Sequence, residues 1–113
     1  MTTPWPAEVL DCAKRLAKSL GYRDDQIETQ SGQVCVNYQN YFWRPLDPRD
    51  PTVWSALIGI NGVTWVRYYK YADKYEALVC DDTDFNSHTC WQKHPGLAVC
   101  EAYNALKVMH IKR

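Results

Sequence analysis

The sequence predicts a single α+β domain over residues 1–113, in which helices near both ends pack on a small antiparallel sheet. Three observations support this prediction. Apolar residues recur at helical spacing near both ends, β-branched and aromatic residues alternate in two neighbouring runs between them, and 113 residues is the length of one domain.

The first predicted helix covers residues 5–20. Thr3 and Pro4 are typical of a helix start, and Gly21 is typical of a helix end. The apolar residues of this segment form one continuous stripe, which consists of Val9, Cys12, Ala13, Leu16, Ala17 and Leu20. This stripe predicts the face of the helix that joins the core.

The segment after this helix has weaker signals. Residues 22–32 are polar and predict a loop, and residues 33–38 alternate weakly, as a short strand does. Three prolines within 44–51 exclude regular structure for most of that stretch.

A short third helix is predicted near 51–59. Asp50 has the residue type of an N-cap, and Pro51 suits the first helical position. The residues expected to face inward are Val53, Trp54, Leu57 and Ile58. Gly59 weakens this helix, and the pair at 61–62 ends it.

The strongest strand signal is a predicted hairpin. Residues 63–71 and 75–80 are rich in β-branched and aromatic side chains around a three-residue connection. Strict alternation places five residues of the first strand on one face: Val63, Trp65, Arg67, Tyr69 and Tyr71. We expect the sheet to have one face on the helices and one face open to solvent or to a partner.

The C-terminal part is predicted to be a loop followed by a helix. Residues 81–93 are polar, and His94 with Pro95 opens the last helix. Its predicted apolar stripe consists of Ala98, Val99, Ala102, Ala105, Leu106 and Met109. Basic residues near its end suit the helix dipole.

Aromatic side chains carry the strongest functional signal. The chain has 5 Trp and 8 Tyr but only 2 Phe, so most rings have a polar edge, as is common in protein interfaces. They cluster within 37–44 and 65–71. The partner-binding residues predicted from these clusters are Tyr38, Tyr41, Trp43, Arg44, Trp65, Arg67, Tyr69 and Tyr71.

Composition argues against several other classes. Thirteen basic and thirteen acidic residues cancel, so no global field attracts nucleic acid or anionic lipid. Five cysteines at irregular spacing, without a secretory signal at the start, predict free thiols in a reducing cytoplasm. No run of apolar residues is long enough to span a membrane, so no membrane partner is expected.

A metal-dependent or cysteine enzyme is the weaker alternative. The residue types that could hold zinc are concentrated in Cys80, Asp81, Asp82, Asp84, His88, Cys90 and His94. Their spacing contains no Cys-x-x-Cys pair, and the run that begins at Asp82 lacks the glycine and the final glutamate of a calcium loop. A thiol nucleophile would need Cys90 beside a histidine. No phosphate-binding or dinucleotide-binding motif is present, so no cofactor is predicted.

Nucleic-acid binding is the second alternative. Tyr and Trp interleaved with Arg67 and Lys70 could stack on bases and contact phosphates. The neutral net charge disfavours it.

The overall layout resembles the small accessory proteins of tailed phages and prophages. The resemblance rests on a first helix that ends in Leu20, Gly21 and Tyr22, on the segment 53–65 and on the helix start at 94–102. It implies a small cytosolic protein that binds a host protein or nucleoprotein complex and blocks it. Inhibitors of bacterial defence, including anti-CRISPR proteins, are similar in size and in lacking catalytic motifs.

Overall fold

The computed structural model describes the backbone of residues 4–38, 42–58, 63–81 and 86–111. Within these ranges, it describes the side chains of all residues except 38, 80, 81, 86–90 and 108–111. The fold is α+β, as predicted, with a helix near each end, a short helix between them and two small antiparallel sheets.

The described elements follow one another in a simple order. The helices are α1 (Ala7–Ser19), α2 (Pro51–Trp54) and α3 (Pro95–Ile111). The first sheet contains β1 (Ile27–Gln30), β2 (Gln33–Tyr38) and β3 (Phe42–Pro45). The second sheet contains β4 (Val63–Tyr69), β5 (Lys74–Asp81) and β6 (Asn86–Gln92). Both sheets are three-stranded meanders with the middle strand in the centre.

Helix α1 is confirmed, and its end follows from local chemistry. Val9, Cys12, Ala13, Leu16 and Ala17 are buried, as the predicted stripe requires, but Leu20, also predicted for the stripe, is the C-cap residue and is exposed. Gly21 has a φ of 97°, a conformation that glycine adopts without a Cβ penalty. The Tyr22 N–H donates to the Ala17 carbonyl oxygen at 3.1 Å, and the Gly21 N–H donates to that of Lys18 at 3.0 Å. This is a Schellman cap, which satisfies the last carbonyls of the helix.

Two segments predicted as loops contain strands. Residues 22–32 include a 3₁₀ turn and strand β1, and residues 81–93 include strand β6. In both cases polar residues lie on strands at the edge of a sheet, where one side of the backbone has no neighbouring strand in the sheet. Tertiary pairing with β2 and β5 therefore decides their structure, because their own periodicity is weak.

The short central helix is confirmed as α2. The Asp50 carboxylate accepts a hydrogen bond from the Thr52 N–H at 3.0 Å, and Pro51 occupies the first helical position. A 3₁₀ turn continues the segment and buries Leu57, while Val53, Trp54 and Ile58 pack against the core. The predicted helix end at 59–62 lies outside the described residues.

Helix α3 lies at the centre of the molecule. It packs across all three strands of the second sheet and also against α1. Its residues are buried on most sides, including Leu97, Ala98, Val99, Cys100, Ala102, Tyr103 and Leu106. Helix α1 packs on α3 and on β2, so it joins the first sheet to this core.

Polar contacts fix the pairing of α1 with α3. The Arg15 guanidinium donates to both oxygens of Glu101, at 2.9 and 2.7 Å, and also to Asp11. Beneath it, the buried Asn104 side chain accepts from Ser19 at 2.9 Å. A bidentate ion pair fixes the orientation of the two side chains as well as their distance, so these bonds set the register between the helices.

We predict that Gly96→Ala lowers the free energy of unfolding by about 2–3 kcal/mol. A Cβ at this position would collide with the Pro48 carbonyl oxygen and would lie 2.6 Å from Cδ1 of Trp54. Urea denaturation measures the effect. Gly21→Ala is the control, because its Cβ would meet nothing within 4 Å and the cost is backbone strain of about 1 kcal/mol. Equal losses in the two variants would contradict the close approach at Gly96.

We also predict that three thiols resist alkylation in the folded protein. Cys12, Cys35 and Cys100 are free and buried. A hydrogen bond with Cys100 and burial raise the pKa of the Cys12 thiol, and burial raises the pKa of Cys35. Peptide mapping after iodoacetamide treatment should find these three sites modified only in denaturant. Rapid labelling of Cys12 in the native protein would contradict this packing.

Candidate aromatic interaction face

The second sheet has one covered face and one open face. Along β5, Ala77 and Val79 are fully buried and Tyr75 packs against the core, which places them on the side of α3. Because side chains alternate along a strand, Glu76 and Leu78 point to the opposite side. No described helix packs on that side, and the residues paired with Glu76 and Leu78 therefore form the open face.

A β-bulge changes which residues of β4 share a face. Val63 pairs with Val79, but Trp65 pairs with Leu78, so one extra residue lies between them. Val63 therefore faces the core, together with Val66, which pairs with Ala77. The prediction that placed Val63 on the face of Trp65 was wrong, because strict alternation takes no account of a bulge.

The open face carries a cluster of exposed aromatic rings. Tyr69 lies 5.4 Å from Trp91 between ring centroids in an edge-on arrangement, and 5.7 Å from Tyr71 in a tilted one. The exposed fraction of the residue is 39% for Tyr69, 41% for Trp91 and 82% for Tyr71. Edge-on and tilted contacts are the favoured geometries of aromatic pairs. We call the set of Trp65, Arg67, Tyr69, Tyr71 and Trp91 the aromatic face.

An ion pair lies at the centre of this face. Glu76 pairs with Arg67 on one side and with Trp91 on the other, and only 8% of its surface is exposed. The Arg67 Nη2 group donates to the Glu76 carboxylate at 3.4 Å, and its guanidinium lies 4.7 Å from the Trp65 ring centroid. Arg67 is thus held by a carboxylate and by a ring, which gives it one preferred position.

The turn beside the face is also held in place. Tyr68 lies on the α3 side of the sheet, where its ring contacts Tyr75 at 5.2 Å between centroids. Its hydroxyl donates to the Asp73 carboxylate at 2.5 Å, and this bond raises the pKa of Tyr68. Asp73 has a φ of 51°, so the bond stabilises an unusual turn conformation next to Tyr71.

The predicted binding residues divide between two sheets. Trp65, Arg67, Tyr69 and Tyr71 come together on the aromatic face, whereas Trp43 and Arg44 lie on β3 of the first sheet. Trp43 is half-buried and Arg44 is exposed. Tyr41 and the side chain of Tyr38 lie outside the described residues. The two sheets share no strand, so Trp43 and Arg44 are not part of the aromatic face.

Trp91 is the residue that the sequence did not predict. It belongs to β6, a segment whose polar composition predicted a loop. Pairing of β6 with β5 places Trp91 opposite Glu76 and therefore on the open face. A lone tryptophan in a polar segment was the only signal available, and it does not specify a face.

A cleft of about 450 Å³ adjoins the aromatic face. Its lining includes Trp91, which belongs to the face, Lys74, which borders it, and five further polar side chains, Glu8, Arg49, Gln92, Lys93 and His94. Arg49 donates to both oxygens of Asp47 at 3.0 Å. Volumes of this order suit a small ligand group or a side chain.

His94 connects the cleft to helix α3. Its Nδ1 atom accepts a hydrogen bond from the Gly96 N–H at 3.0 Å, so its proton is on Nε2 in the neutral form. Burial lowers the pKa of His94, the charge of Arg49 lowers it further, and Asp47 opposes the shift. His94 is therefore a neutral helix cap at physiological pH.

Metal-ligand clusters and reactive thiols are the catalytic features that the sequence raised. Among the side chains described, no group of three or more His, Cys, Asp or Glu is placed to hold a metal ion. The thiols of Cys12 and Cys35 are buried and have raised pKa values, which disfavours the nucleophilic thiolate. The zinc and thiol alternatives centred on Cys80, His88 and Cys90 lie outside the described side chains.

Comparisons with known proteins find no similar family, protein or structure. No protein-family model matches the sequence, and comparisons with curated proteins and with solved structures give no significant match. Within the described ranges, no helix is long and apolar enough to cross a membrane. Any functional assignment therefore depends on the geometry of the aromatic face and its cleft.

We predict that protonation of His94 lowers the free energy of unfolding at mildly acidic pH. The pKa of His94 is lower in the folded than in the unfolded chain. Its contribution to the free energy of unfolding is therefore fully present above the ordinary pKa of 6.5 and is lost as the pH falls through the pKa of the folded state. His94→Asn keeps a cap acceptor for Gly96 but does not titrate. Urea midpoints across this range should fall more for the native protein than for the variant. Parallel pH dependences would contradict the role of His94.

Proposed function

We propose that this protein is a non-enzymatic binding protein that docks a partner protein on the aromatic face. The observation that carries the proposal is the cluster of exposed Tyr and Trp rings on a sheet face that no described element covers. Folding normally buries such rings. A contiguous exposed aromatic patch therefore marks an interaction site more often than an isolated ring does.

The composition of the face suits a protein partner. Trp, Tyr and Arg are the residue types that dominate binding energy in protein interfaces, and all three occur here within one cluster. Tyr69 already contacts Trp91 and Tyr71, so these rings lose little freedom when a partner binds. Pre-packing of this kind lowers the entropic cost of association.

Nucleic acid fits the same face less well. Base stacking needs accessible ring faces and cations free to meet phosphates. Arg67 lies over the Trp65 ring and therefore covers a face on which a base could stack. Its charge is paired with Glu76, so it is not free to meet a phosphate. The chain also has no net charge, and the paired Arg67 and Glu76 together offer a phosphate no net attraction at the centre of the face.

The resemblance to phage accessory proteins extends this proposal to a biological role. On that basis the partner is a host protein or nucleoprotein complex, and binding on the aromatic face blocks it by occupying a surface that it needs. An inhibitor of this kind requires no catalytic group. It requires only an interface in which two or three anchors contribute about 2 kcal/mol each.

We predict that Trp91→Ala and Tyr69→Ala each weaken partner binding by about 2 kcal/mol, or roughly thirty-fold in Kd. Because each ring keeps about two fifths of its surface exposed, the free energy of unfolding should fall by only about 1–2 kcal/mol. The measurement is recovery of a stoichiometric partner from bacterial lysate, treated and untreated with nuclease, followed by titration of the purified partner.

The matched control is Phe42→Ala. Phe42 lies on the first sheet, is 70% exposed and should leave binding unchanged. Loss of stability without loss of binding in Trp91→Ala would show that the ring is structural and that the face is wrongly assigned. Binding to a plain oligonucleotide that weakens steeply with salt would instead favour the nucleic-acid alternative.

A further inference from the structure

The cleft and the aromatic face form one continuous surface. Lys74 lies at the end of the open side of β5, where it pairs with Tyr69, and it also lines the cleft. Trp91 likewise belongs to both, since it contacts Tyr69 on the face and borders the cleft. A segment that lies across the aromatic rings can therefore place its next side chain in the cleft.

The cleft has a small and local surplus of positive charge. Arg49 is neutralised by Asp47, with which it forms two hydrogen bonds. In the part of the chain that the structure describes, Lys74 and Lys93 form no ion pair, and Glu8 is the acidic residue in the lining. Among the described residues of the lining, two ammonium groups without an ion pair against one carboxylate leave a surplus of one positive charge, which matches one anionic group.

We propose that this cleft binds one carboxylate of an acidic segment of the partner protein, next to apolar side chains of the same segment that pack on Tyr69 and Trp91. This inference rests on the proposed function, because the cleft opens onto the aromatic face. It adds the chemistry of the partner: an aspartate or glutamate a few residues from an aromatic or aliphatic side chain.

The charge surplus also argues against a polyanion. A nucleic-acid strand presents a phosphate at every residue, and its affinity grows with the number of cations it meets. Here Lys74 and Lys93, which form no ion pair among the described residues, lie beside Glu8, and on the adjoining face Arg67 and Glu76 neutralise each other. One carboxylate satisfies this arrangement, whereas the further phosphates of a strand would meet Glu8 as a like charge and the neutral Arg67–Glu76 pair at the centre of the face.

The test is selection of short peptides from a random library on the immobilised full-length protein. We expect the enriched peptides to share an acidic residue at a fixed distance from an apolar one. Lys74→Glu combined with Lys93→Glu should lower the affinity for these peptides by at least about tenfold. Replacement of the acidic residue of the peptides by its amide should have the same effect. Lys14→Glu combined with Lys18→Glu is the matched control, since both lie on exposed positions of α1 outside the cleft. It removes only the exposed ion pair of Lys18 with Asp24 and should leave the affinity for the peptides unchanged.

Several results would overturn the inference. Enriched peptides without acidic residues, no enrichment at all, or unchanged affinity after the double charge reversal would each do so. So would tighter binding of oligothymidylate with a steep salt dependence. If the charge-reversed protein fails to fold, Lys74→Gln combined with Lys93→Gln gives the same comparison with a smaller perturbation.

The outcomes separate the inference from the function it rests on. If Trp91→Ala abolishes peptide binding and the lysine variants do not, the aromatic face stands as a docking site and the carboxylate cleft is wrong. If neither set of variants affects the selected peptides, both proposals fail. Amide shifts at Lys74, Lys93 and Trp91 on titration with a selected peptide would locate the contact directly.

Discussion

The burial of α3 is the constraint on which the other elements depend. One side of the helix covers the second sheet, another side meets α1, and its first turn lies against the segment at Pro48. A helix in contact with neighbours on most sides carries apolar residues around most of its circumference, as the run from Leu97 to Cys100 does. By packing on one side of β4–β6, α3 leaves the opposite side of that sheet as the surface on which a large aromatic cluster can form.

The aromatic face combines rigidity with accessibility. Its rings contact one another, and its arginine is fixed by a tryptophan and a buried glutamate, yet three of the rings remain substantially open to solvent. Buried charge of this kind is costly unless paired, so the Arg67–Glu76 contact is a specific requirement of the face rather than incidental. The same pair leaves little free positive charge at the centre of the face. Lys74 and Lys93, which form no ion pair among the described residues, lie at its margin, beside the cleft.

Sequence periodicity was sufficient where one side of an element is uniformly apolar. The stripe of α1 has this property. The cap at Asp50 and the start of α3 at Pro95 were predicted from local residue types instead, and the alternation within 63–80 is found in the structure after the bulge. Strands β1 and β6 lacked a uniformly apolar side, because edge strands can be polar on both sides. The bulge after Val63 was also invisible, since an extra residue in one strand is detected only against its partner.

The candidate site was predictable in its centre and not at its margins. Alternation alone grouped Trp65, Arg67, Tyr69 and Tyr71, because β4 continues regularly after its bulge. Composition alone then joined them to Trp43 and Arg44, although distance along the chain says nothing about which sheet a residue enters. Trp91 and the cleft arise from pairing between distant segments, and no local pattern encodes such pairing.

The position of α3 in the chain has a consequence for how the protein is made. Every strand that α3 covers precedes it, and its ion pair to α1 joins Arg15 and Glu101 across 86 positions of sequence. Strands that emerge from the ribosome before α3 have no cover for their apolar side, so their collapse must wait until the helix is synthesised. Long-range closure of this kind slows folding and prolongs exposure of apolar strands. During that interval the nascent chain presents both sides of the second sheet, and chaperone binding would compete with self-association of these strands.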